Sequence, residues 1–147
     1  MAATLLDPDC AALLADPDWF AAEQGRLHRR LNRGWPRALG TTPMAMAAAL
    51  SAHSAVPYRW RRARARDALL DVREAVLLGL PVAMLVGNVL PRHWVLLTHW
   101  HADGFRCYEP SSGHTRQVSA DSIRGGRLSG LGFARPWAFV VPRLSGR

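Results

Sequence analysis

The chain has 147 residues, 49% apolar and 20% charged, an ordinary composition for one globular domain long enough to bury a core. Its net charge of +8 comes from 19 arginines with no lysine. Two cysteines are too few for a disulfide framework, and the longest apolar run, AVLLGLPVAMLVGNVL, is broken by Gly79, Pro81 and Asn88 and falls short of the ~20 residues a membrane span needs. The opening MAATLLDPDC has no basic segment and only a short apolar run, so a cytoplasmic protein is expected.

The charge is uneven: residues 1–24 carry five acids and no base, and residues 25–66 carry ten arginines and no acid. DPDCAALLA and DPDWFAAEQGRLHRRLN each open with Asp then Pro, a cap followed by a first-turn proline, and predict helices. GTTPMAMAAALSAH repeats the device, with Thr42 as cap, Pro43 in the first turn and Met44, Ala47, Ala48 and Leu50 as the apolar side. VPYRWRRAR alternates at period two and suits a strand; DALLDVREAVLLG reads as an amphipathic helix closed by Gly79. Beyond it PVAMLVG, HWVLLTHW, FRCYEP, TRQVS and PWAFVVP are short strand-like runs. ADG at 102–104 and SSG at 111–113 supply hairpin turns, and SADSI at 119–123 a helical turn. The pattern predicts a single α+β domain over 1–147, with a helical part at 1–54 and an antiparallel sheet part at 55–147.

Three of six histidines fall in RHWVLLTHWHADGFRCYEP. Thr98, His99, His101 and Asp103 resemble the Thr-His-x-His-x-Asp-His signature of metallo-β-lactamase-type zinc hydrolases, with Gly104 in place of the last histidine. The surroundings favour a solvated hairpin tip. Asp103-Gly104 already has a turn to make, and His114 is the one histidine further on.

His93 opens a strand, and Glu109 closes the strand that returns across the hairpin. The two are expected side by side at one end of the sheet, where a carboxylate can fix an imidazole's tautomer for base catalysis. The plain alternative is a surface histidine beside a turn glutamate.

The segments GLPVAMLVG, PRHWVLLT and DGFRCYEPSSG, in that order, resemble the C-terminal half of papain-like cysteine peptidases of the bacteriocin-processing (double-glycine leader) type. GTTPMAMAAAL is similar to their second helix and PWAFVVP to their last strand, so the resemblance spans roughly residues 35–142. It implies a papain-like fold, His93 as catalytic histidine, Glu109 in place of the orienting aspartate with one extra methylene, and a peptide substrate. No metal or cofactor is required.

That family also carries a Gln and, six residues on, a Cys-Gly at the start of a buried helix, where the helix N-terminus and oxyanion donors serve the thiolate. Here Cys10 follows the Asp7 cap, but Thr4 and Ala11 stand at the Gln and Gly positions, and Asp7 and Asp9 oppose a thiolate. Cys107 reads as a packed apolar residue. The expectation is that the family's Gln and Cys lie before Met1 or have been lost, and that the chain as given has little or no peptidase activity. Two other readings remain open. One is a peptide-binding protein without catalysis. The other is a nucleic-acid-binding module using YRWRRARAR and RLHRRLNRGWPR, whose arginines also suit a charged edge strand and a solvated helix face.

Overall fold

The computed structural model describes residues 41–144. The two N-terminal helices expected from the Asp-Pro starts, Cys10 and the arginines from Arg26 to Arg37 lie outside the described residues.

Helix α1 spans Pro43–Ala52, and the Thr42 side chain accepts from the Ala45 N–H at 3.2 Å. The cap and first-turn proline act as expected, but the buried side is Ala47, Ala49 and Leu50, whereas Met44 is 66% exposed and Ala48 also faces solvent. Strand β1 is Tyr58–Arg62, helix α2 is Ala68–Leu77, β2 is Val82–Gly87 and β3 is Pro91–His101. β4 is Gly104–Glu109, β5 is His114–Ser119, the short helix α3 is Ala120–Arg124 and β6 is Arg135–Pro142. Ser119 caps α3 by accepting from the Ser122 N–H, the turn anticipated from SADSI.

Among the described residues six strands form one antiparallel sheet in the order β1-β6-β2-β3-β4-β5, which establishes the mixed helix-plus-antiparallel-sheet class. The arginine-rich β1 is at one edge, where charge discourages pairing with other chains. β2, near the centre, is buried at every position because both faces are covered. On one face Ala83, Leu96 and Val140 pack with Ala47 and Leu50 of α1. On the other, Val82, Met84, Val86, Val95, Leu97, Phe105 and Phe139 pack against Val72 and Val76 of α2 and Ile123 of α3.

Two irregularities set where the side chains point. Gly87 sits at a register shift between β2 and β3, where a Cβ would meet the Leu90 carbonyl oxygen at 2.0 Å, so only glycine lets the 88–90 turn fold back before Pro91. Further along β3 the register shifts between Leu97 and His99, a bulge that leaves Thr98 as the extra residue. Leu97 pairs with Cys107 on the α2 face, and after the bulge Trp100 pairs with Phe105 on that same face. His99, opposite Arg106, and His101, opposite Gly104, are thereby turned to the α1 side of the sheet.

Candidate functional site

Alternation from Leu97 back along β3 places Val95 and His93 on the α2 face. The β3–β4 ladder runs to Leu96 opposite Tyr108, so Glu109 falls in step with Val95, two residues from His93 and on the same face. The glutamate spans that diagonal. His93 Nε2 lies 2.5 Å from Glu109 Oε1, and the two side chains are 23% and 13% exposed. The extra methylene relative to aspartate thus supplies reach.

Glu109 is held by its own turn. Its Oε1 accepts from the Ser111 N–H at 2.9 Å and the Ser111 hydroxyl at 2.5 Å, and its Oε2 accepts from the Ser112 N–H at 2.9 Å. The turn closes through the Gly113 N–H donating to the Glu109 carbonyl, with Gly113 at φ 70°. Burial works to raise the Glu109 carboxyl, but the hydrogen bonds from Ser111, Ser112 and His93 outweigh it and hold the group at about 2. The carboxylate is therefore a fixed negative charge at neutral pH.

The His93 ring is fixed from a second direction by Phe133, stacked at 5.1 Å between centroids and 16° between planes. Phe133 belongs to the connection between α3 and β6, which is pinned to the 88–90 turn by the Ala134 N–H donating to Asn88 Oδ1 at 2.8 Å. With Nε2 engaged by Glu109, Nδ1 makes no hydrogen bond among the described residues. Phe133 also lines a recess of about 260 Å³ with Gly87, Asn88, Val89, Leu90 and Arg92. Such an arrangement can orient an imidazole, stabilise it when protonated, and leave one ring nitrogen for proton transfer.

Cys107 shares the face of Glu109 but lies in the core, fully buried, and burial together with the Glu109 charge pushes its thiol up to about 12. It is a packing residue and no nucleophile. His99 and His101 both lie on the α1 side of the sheet, away from His93, and among the described residues no three His, Cys, Asp or Glu side chains gather to hold a metal ion.

The arginines of β1 divide between the two faces. Arg59 and Arg61 point to the α2 side, where both pair with Asp71, while Trp60, opposite Val140, points to the α1 side and is 40% exposed. On β1 the exposed Trp60 and the Asp71-paired Arg59 and Arg61 thus lie on opposite faces.

Two features escaped sequence reading: the Ser111 and Ser112 cradle and the Phe133 stack. A glutamate followed by serines at the second and third positions is the one local signal, since such side chains close turns onto backbone N–H groups. Phe133, in LSGLGFARP, has no periodicity to mark it. No helix of the described residues is long and apolar enough to cross a membrane. Compared with known proteins, the chain matches no family model and no curated sequence.

Proposed function

We propose that the chain is a cysteine-peptidase-like domain of papain-like fold, acting on peptide in the cytoplasm, and that as given it carries the base and its orienting acid without a competent nucleophile. One observation supports the reading above the rest: His93 Nε2 is 2.5 Å from a Glu109 carboxylate that its own turn holds ionised, while Nδ1 makes no hydrogen bond among the described residues. In thiol-mediated amide hydrolysis, Nδ1 takes the S–H proton as sulfur adds to the carbonyl carbon, and the imidazolium returns it to the departing amine. Glu109 stabilises the imidazolium between those steps.

The test pairs a synthetic peptide ending in two glycines with nuclear magnetic resonance of the histidine rings. The His93 ring signals are expected to move as peptide is added, with no cleavage. Peptides that leave His93 unmoved contradict the reading. Modification of Cys10 by a peptidyl electrophile, abolished by His93→Ala, would overturn the expected inactivity and restore a full catalytic pair.

A further inference from the structure

A groove of about 530 Å³ lies on the α2 face, between the β1–α2 loop and the end of α3, with Arg64, Arg66, Arg124 and Arg135 along it and Leu69 and Ile123 as its apolar wall. Among the described residues no carboxylate lines it. Arg124 pairs with Asp121 at 3.0 Å on the exposed rim, whereas Arg64, Arg66 and Arg135 make no ion pair among the described residues. Arg135 is laid over the Trp137 ring at 4.5 Å, which fixes its planar fork. Its Nε and the Trp137 Nε1 are buried and meet no acceptor among the described residues. A concave, one-sign surface with pre-set guanidinium donors is built for carboxylate or phosphate oxygens.

The groove is placed by the sheet in relation to the dyad. Val86 of β2 pairs with His93 on one side and Pro136 on the other, and the neighbouring row runs from Arg135 through Gly87 to Pro91. Pro136, which lines the groove beside Arg135, and His93 therefore stand on the same face, two strand spacings or about 10 Å apart. That span equals about three residues of extended peptide. Nucleic acid is the less suitable occupant. Base stacking needs an open aromatic face beside the cations, yet Trp137 is covered by Arg135 and the exposed Trp60 is on the opposite side of the sheet.

We propose that this groove receives the acidic side chains of a peptide whose main chain passes His93, with the carboxylates about three residues from the bond that faces the imidazole. The role of that peptide as substrate rests on the peptidase-like reading; its capture by the arginines does not.

The experiment uses the full chain and three labelled probes: a peptide carrying two glutamates, the same peptide with glutamines, and a single-stranded oligonucleotide. Fluorescence anisotropy is expected to give about tenfold tighter binding of the glutamate peptide than of the glutamine one. The double substitution Arg64→Ala/Arg66→Ala, at two exposed positions, is expected to erase that difference and leave the glutamine peptide's affinity unchanged. Movement of the His93 ring signals by the glutamate peptide supports both the groove and the peptidase-like reading. Selective binding with His93 unmoved upholds the groove and removes the peptidase-like reading. Equal affinity for the two peptides, or tighter binding of the oligonucleotide, overturns the groove as an acidic-peptide site whatever His93 does.

Discussion

Glu109 shows how much one side chain can be asked to do. It accepts from two serines of its own turn and from His93, and these bonds, against the opposing effect of burial, hold its carboxyl at about 2. A carboxyl depressed in the folded state contributes stability that is complete above its ordinary value near 4.5 and is lost as pH falls toward 2. Glu109→Ala is accordingly expected to cost about 1–3 kcal/mol at neutral pH. The difference in urea midpoint from the parent should shrink as pH falls from 4.5 toward 2; a difference that does not change over that range would show that the carboxylate charge is not what holds the turn. Cys107 illustrates the opposite influence of burial. With its thiol pushed up to about 12, it should resist a small alkylating reagent at neutral pH in the native protein and react once the protein is unfolded. Peptide mapping, which separates Cys107 from Cys10, gives the readout, and fast native labelling of Cys107 would contradict its place in the core.

At the scale of elements, Asp71 ties α2 to the edge strand. It is 7% exposed and receives both Arg59 and Arg61 from β1, leaving each arginine partly in water. Asp71→Ala should lower stability by about 1–3 kcal/mol, less than for a fully buried pair because the guanidinium groups can rehydrate. A urea midpoint that does not shift would show that the pairs are decorative. The β3–β4 hairpin offers a change in the other direction. Its two-residue loop puts Ala102 at φ 52°, a conformation that glycine adopts without a Cβ clash, so Ala102→Gly should be neutral to stabilising by up to about 1 kcal/mol in thermal melting. β2 and β6 were legible as apolar runs between turn residues, and the caps at Thr42 and Ser119 were legible because the capping contact is local. The Thr98 bulge was not. A bulge is defined by the partner strand, and nothing near Thr98 announces that the pattern changes face there. Unbroken alternation would carry the face of His93 through to His99 and His101, whereas the bulge turns them to the other side.

For the whole molecule, the sheet sorts residues by face and by end. One hairpin brings His93 and Glu109 together from positions sixteen apart, which made the pair readable in advance: only a turn and a register were needed. The arginine groove draws on the β1–α2 loop, α3 and the start of β6, three segments whose proximity no local pattern carries. Both features occupy the α2 face at the end of the sheet where β2 and β6 meet, and the order of strands alone sets the distance between them. The proposed chemistry needs an imidazole whose Nε2 is committed to Glu109 and whose Nδ1 is left to work. The most direct measurement is the ring ¹⁵N spectrum of His93 in its neutral form, compared between the parent and Glu109→Ala. The expected result is a proton fixed on Nε2 and a bare Nδ1 in the parent, with that preference lost in the variant. A neutral ring protonated on Nδ1, or a tautomer that does not respond to removing Glu109, would contradict the claim that this pair is built for base catalysis.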